Sequence, residues 1–202
     1  MYYRNIFWIV MLFFALTGFK IGPPGEAKKW VISENSNLHV NGSTNINKFS
    51  CEIPSYDQTD TLTITKGKNN KEVLLSGCIR LKVQAFDCHN VIMTHDLRKT
   101  LKESQYPVLH IYFLSLNRIP VLSSQPEMVA GLVDIEIAGV RKRFEVNYQI
   151  SVDPQNVIHL IGTRQVNFTD FKLVPPRKLG GMIRTNDQLG VDFHLRMSVI
   201  NG

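Results

Sequence analysis

Cys88-His89 and, shortly after, His95-Asp96 form the densest group of metal-capable side chains in the sequence. A thiolate, two imidazoles and a carboxylate are a chemically reasonable set for zinc. The same residues also read as the approach to a helix, with Cys88 in a disulfide, the histidines at the surface and Asp96 close to the helix start. No two cysteines stand at a C-x-x-C spacing, and we assign no metal site here. His39, His110, His159 and His194 are scattered over separate predicted strands, where a satisfied hydrogen bond accounts for any of them. No Gly-x-Ser-x-Gly elbow, P-loop or His-Glu-x-x-His occurs. The reading therefore contains no catalytic residue and no cofactor, and expects a protein that is not an enzyme.

Two other groups have chemical potential. Cys51, Cys78 and Cys88 allow one disulfide and leave one thiol in an oxidising compartment, and the residues by themselves do not say which pair forms. The segment Asp170 to Arg184 is rich in Pro and Gly and carries Lys172, Arg177 and Lys178. A basic loop of this kind can hold a phosphate head group by charge-assisted hydrogen bonds, or it can be a solvated crossover whose charges aid solubility.

These residues must be positioned by strands. Phe144, Val146, Tyr148, Ile150 and Val152 alternate with Glu145, Asn147, Gln149 and Ser151, the pattern of a half-buried antiparallel strand. Val133, Ile135 and Ile137 alternate with Asp134 and Glu136 just before it, and Ala138-Gly139 is a natural hairpin between the two. Leu189, Val191, Phe193, Leu195, Met197 and Val199 share one face of a C-terminal strand, and Ile79, Leu81, Val83 and Ala85 share one face of another. Shorter strands are expected at Asn37–Val40, Phe49–Ile53, Leu62–Thr65 and Val157–Ile161. The run from Pro107 to Leu116 is apolar on both faces, with Leu109, Ile111 and Phe113 on one and Val108, Tyr112 and Leu114 on the other. Such a strand is expected to pack the barrel interior on one side and a helix on the other. The one good helix carries Met93, Leu97 and Leu101 in a stripe, with Thr94 as expected N-cap, Asp96 in the first turn and Pro107 barring continuation. Many strands, one short helix and frequent turns predict an all-β barrel or sandwich.

Composition agrees with one ordinary globular domain: 202 residues, 44% hydrophobic and 20% charged, with a net charge of +6. The positive charge is spread along the chain rather than gathered in a stripe with interleaved aromatics, which argues against nucleic acid as a partner. Arg4 is the only charge before Lys20, and Ile6 to Leu16 is almost wholly apolar. This is the charged-then-apolar layout of a signal peptide, too short to span a bilayer comfortably, with an uncleaved anchor as the rival reading. Residues 1–27 are expected to be signal peptide and leader, and residues 28–202 one domain in the periplasm or secreted.

Several segments, in order, resemble the YceI-like, polyisoprenoid-binding family in its cysteine-bearing, Bacteroidetes-type branch. They are Gly42-Ser-Thr-Asn-Ile-Asn-Lys-Phe-Ser-Cys51; Phe86-Asp-Cys88 followed by Met93-Thr-His-Asp-Leu97; and Leu101 with Tyr106-Pro107. Further on come Gly131-Leu132, Ile137-Ala-Gly-Val-Arg-Lys142, and Thr169-Asp-Phe171 with Pro175-Pro176, Gly181, Ile183 and Thr185. The resemblance covers residues 30 to 200. It implies a lipocalin-like extended antiparallel β-barrel whose apolar channel holds an isoprenoid quinone, a polyprenyl phosphate or another long-chain lipid. The family's more widespread form has an Arg-Asp pair where this chain has His95-Asp96, so no role of that Arg is carried over. Cys51 and Cys88, each flanked by family-like motif residues, become the expected disulfide, with Cys78 free. The expected channel residues are Phe113, Val133, Ile135, Ile137, Phe144, Val146, Tyr148, Ile150, Phe193 and Leu195, although alternation alone leaves open which strand face is inside. Lys172, Arg177 and Lys178 are the expected head-group residues. A homodimer is left open, and a barrel filled by its own side chains, acting as an interaction or structural module, is the alternative.

The export reading makes a direct prediction. N-terminal sequencing of protein from the native host should find a mature start between about residues 18 and 28, whereas intact Met1 in a cytosolic fraction would contradict it.

Overall fold

The computed structural model describes residues 27–67 and 72–200. The expected signal peptide therefore lies outside the described residues, except for Ala27. The elements in chain order are strands β1 (Lys28–Ile32), β2 (Asn37–Ser43), β3 (Lys48–Ile53), β4 (Thr61–Lys66) and β5 (Val73–Lys82). Helix α1 (Val91–Thr100) follows, then β6 (Val108–Leu116), β7 (Glu127–Ile137), β8 (Val140–Val152) and β9 (Ile158–Asn167). The two-residue strands β10 (Arg177–Lys178) and β11 (Ile183–Arg184) precede β12 (Gln188–Ile200).

Every pairing is antiparallel. Strands β1-β4-β5-β6-β7-β8-β9-β12 follow one another and β12 pairs again with β1, so eight strands close into a barrel. The β2–β3 hairpin adds to β12 beyond the end of β1. Among the described residues the fold is an all-β, lipocalin-like antiparallel barrel with one short α-helix, the architecture that the family resemblance implies.

The strongest alternation gives the most regular pair. Strands β7 and β8 stay in register from Ile137 opposite Val140 to Glu127 opposite Ile150. Ala138 and Gly139 turn between them with φ of 50° and 76°, the doubly left-handed geometry of a two-residue hairpin. Outer-face partners are opposite charges. Arg143 binds Asp134 at 2.8 Å and Arg141 binds Glu136 at 2.8 Å, each pair directly across the ladder. The Arg143 guanidinium holds the Asp134 carboxyl below its ordinary pKa against the smaller opposing effect of burial.

Where β12 exchanges β1 for β2, its backbone needs other partners. Ser36, 1% exposed, accepts from the Arg196 N–H at 2.9 Å, and the Ser33 N–H donates to the Arg196 carbonyl at 2.8 Å. The Arg80 N–H of β5 is met at 3.2 Å by both the Tyr56 hydroxyl and the Asp60 carboxylate. Burial opposes the charge on Asp60, but hydrogen bonds from Arg80 and Tyr56 outweigh it and keep its pKa below the ordinary value. The free edge of β3 meets the segment after β5 through two bonds between Glu52 and Asp87, of 2.7 and 2.8 Å. The Cys51–Cys88 disulfide, with Cα atoms 3.9 Å apart, lies beside these bonds, and Cys78 is free.

Several expectations are corrected. Asn90, not Thr94, caps α1: its side chain accepts from the Met93 N–H at 3.0 Å. The helix therefore begins earlier, Asp96 falls beyond its first turn, and buried Thr94 instead accepts from the Cys88 N–H at 3.0 Å. The outer face of β6 is not covered by the helix. Arg141 lies over the Tyr112 ring there, 3.9 Å from its centroid, and shields the aromatic face by a cation–π contact. Val199 is exposed because β12 runs past the core at its end. Strand β1 was not expected, since Lys28-Lys29 masks its two buried residues, Trp30 and Ile32.

The disulfide joins cysteines 37 positions apart in the chain. Replacing Cys51 and Cys88 together by Ala should cost about 3–4 kcal/mol by the loop-entropy relation, read from urea unfolding. A C78A control should change far less, and equal losses would mean that the bridge does not hold the β3 edge.

Candidate functional site

The inward faces of the strands meet in an apolar interior with two adjoining cavities of about 50 and 80 Å³. They share Leu38, Leu81, Ile111, Ile135, Val166 and Val191 as walls, so they lie side by side along the apolar interior, which is called the channel below. Tyr56, carried inward by the loop between β3 and β4, borders one end. Leu97 and Leu101 of α1 and Phe86 border the other. The helix is thus a plug in the barrel end rather than a cover on its wall: its apolar stripe and the strands' inner faces bury one another.

Of the expected channel residues, Phe113, Val133, Ile135, Val146, Tyr148, Phe193 and Leu195 line the first cavity, and Ile135 and Ile137 line the second. Phe144 and Ile150 are buried in the same core but border neither space. Phe144 packs on Phe171 with ring centroids 6.0 Å apart, and Ile150 is wholly enclosed. The interior aromatic layer consists of Tyr148 with Phe113 at 6.5 Å and Phe193 at 5.8 Å. Gly162 makes room for it: a Cβ there would lie 2.2 Å from the Phe193 ring.

Lys172, Arg177 and Lys178 are brought together at the surface, and Lys178 also borders a groove with Leu97, whose side chain lines the second cavity. They border an open depression with Asp96, Lys99, Thr100 and Lys102 that shares no lining residue with the channel. Lys178 is ion-paired with Asp96. The metal-capable group is dispersed. Cys88 is in the disulfide, His89 lies 3.3 Å from Glu52, and His95 is an exposed side chain 4.0 Å from Asp96. Among the described residues no group of three or more His, Cys, Asp or Glu is placed to hold a metal.

One charged wall residue was missed. Ile158, Leu160, Gly162, Arg164 and Val166 are in phase on β9, and among the described residues Arg164 is the one charged residue lining either cavity. The expected strand stopped at Ile161. Following the alternation on to Val166 would have placed an arginine on the inner face.

No family model matches the chain, and no curated protein matches it in sequence. Solved structures do match. A polyisoprenoid binding domain from Saccharophagus degradans, described as implicated in plant cell wall breakdown, superposes with a TM-score of 0.61 at 12% identity, covering 85% of this chain and 98% of that one. BcnA of Burkholderia cenocepacia gives 0.58 at 11% identity, covering 80% and 95%. The Campylobacter jejuni YCEI protein gives 0.51 at 15% identity, covering 92% and 93%.

The plug makes a prediction. Leu97→Ala should destabilise the domain by about 2–4 kcal/mol, because it removes a buried side chain and enlarges the cavity. Denaturant unfolding would show this, and a change near zero would mean that α1 does not support the core.

At these identities the likeness is one of architecture, and it gives the chain a YceI-like fold.

Proposed function

We propose that this chain is an exported member of the YceI-like family that holds the apolar chain of a lipid in its barrel and performs no chemistry on it. The observation that carries the reading is the pair of adjoining interior cavities, bordered at one end by a helix and lined almost wholly by aliphatic and aromatic side chains. Such a space offers hydrocarbon an escape from water, which stabilises the complex by about 25 cal/mol for each Å2 of apolar surface buried. The architectural likeness to a polyisoprenoid binding domain supports an isoprenoid such as a quinone or a polyprenyl phosphate. The signal-peptide pattern of Arg4 and Ile6 to Leu16 supports a periplasmic or secreted location.

The narrowness of the channel favours a second reading. Cavities of about 50 and 80 Å³ leave little room for a prenyl chain of several units. Binding then requires the walls to spread, chiefly by rotamer changes of the inner aromatics and by movement of α1. A barrel that does not spread is a filled one, serving as an interaction or structural module.

Mass spectrometry of lipid extracted from natively purified protein separates the two. Lipid in near-stoichiometric amount is expected, and its absence would favour the filled barrel. Ile135 borders both cavities. Ile135→Asp should abolish copurification while circular dichroism remains that of a folded β-protein, since a carboxylate beside hydrocarbon loses its hydration without a partner. Undiminished lipid in a folded I135D protein would place the ligand outside the channel.

A further inference from the structure

Strands β8 and β9 pair only from Val152 opposite Ile158 to Asn147 opposite Thr163. Beyond that point the two strands part. Residues Val140 to Val146 stay bonded to β7, and Arg164 to Asn167 stay bonded to β12. The barrel wall therefore has a seam, with the turn Phe168–Phe171 packed into its far part through Phe171 on Phe144.

Arg164 stands at the near part of this seam. Its position on β9 is an inner one, yet the residue is solvent-exposed while lining the cavity, so channel and solvent meet there. Its guanidinium carbon lies 5.3 Å from the centroid of the Phe144 ring. One amino group donates to the Glu145 carbonyl at 3.1 Å, on the stretch of β8 that β9 no longer pairs. A guanidinium has five N–H donors, so most of the fork remains for a ligand. The second observation is Tyr148. It is 1% exposed, lines the same cavity, and its hydroxyl has no hydrogen-bond partner. A buried hydroxyl without a partner is costly unless something polar reaches it. Across the ladder Tyr148 faces Gly162, the inner-face residue next to Arg164.

We propose that the β8–β9 seam is the ligand's entrance, that Arg164 binds an oxyanion head there, and that the Tyr148 hydroxyl hydrogen-bonds an oxygen of the ligand deeper inside. The ligand class is a single-chain amphiphile bearing a phosphate or carboxylate. Arginine suits either, because its planar fork matches both groups in bidentate fashion. This inference rests on the lipid-binding reading and assigns the head-group role to Arg164 instead of Lys172, Arg177 and Lys178.

The test uses the mature protein with three probes: farnesyl phosphate, a long-chain fatty acid and farnesol. Affinities are measured by titration calorimetry for the wild type, Arg164→Gln, Arg164→Lys, Tyr148→Phe and a triple variant with Lys172, Arg177 and Lys178 changed to Gln. Arg164→Gln should weaken one or both anions tenfold or more and leave farnesol within about twofold, and which anion loses more identifies the source of the oxyanion. Arg164→Lys should recover part of the loss. Tyr148→Phe should weaken the ligands that Arg164 recognises while the protein unfolds no earlier. Equal losses for anion and alcohol in the Arg164→Gln protein, or a selective loss only in the triple variant, would overturn the proposal. Tight binding of farnesol alone by the wild type would overturn the head-group assignment but leave lipid binding standing. Binding of none of the probes, with no lipid copurifying, would remove both.

Discussion

Closing the barrel is the constraint on which the rest of this structure depends. A sheet is free of edges only if its last strand finds its first. Here β12 gives one edge to β9 along most of its length and divides the other between β2 and β1. Each change of partner strands backbone groups that must be satisfied another way. Ser33 and Ser36 meet Arg196, Tyr56 and Asp60 meet Arg80, and the Glu52–Asp87 bonds with the neighbouring Cys51–Cys88 disulfide hold the hairpin edge. Three buried polar residues, Ser36, Tyr56 and Asp60, thus sit where the hydrogen-bond ladder is interrupted.

Closure also determines what the interior can be. With every strand alternating, one face of each must point inward, and the inner side chains must share a limited space. Gly162 makes room beside Phe193, and Leu97 and Leu101 reach in from the helix. The result is a narrow apolar interior with aliphatic and aromatic walls.

The matched structures, at 11, 12 and 15% identity, share this barrel. The architecture is therefore carried by alternation, turn geometry and closure rather than by a fixed set of side chains. Many combinations of aliphatic and aromatic residues fill a barrel, provided that the inner positions stay apolar and their summed volume fits.

Much was legible from residue order alone. Period-two alternation identified β6, β7, β8 and β12 and the end of β5, because side-chain direction on a strand is a local property of the backbone, whereas Val83 and Ala85, expected on that strand, form a 3-10 turn after it ends at Lys82. Ala138-Gly139 marked its hairpin because two successive left-handed residues are a local demand. The pairing of Cys51 with Cys88 came from the family resemblance of their flanking motifs, not from the cysteine positions themselves. What the tertiary structure alone decided is relational. Alternation cannot say that α1 plugs the barrel end, since its stripe is equally apolar on an outer wall or at an open rim. It cannot show that Lys172, Arg177 and Lys178 gather away from the channel, because their loop's course depends on contacts with the β2–β3 turn and with Asp187. Nor can it show that β8 and β9 part beyond Asn147 and Thr163. Whether a strand keeps its neighbour depends on how both are drawn toward other partners around the closed ring, and that competition exists only once the ring has formed.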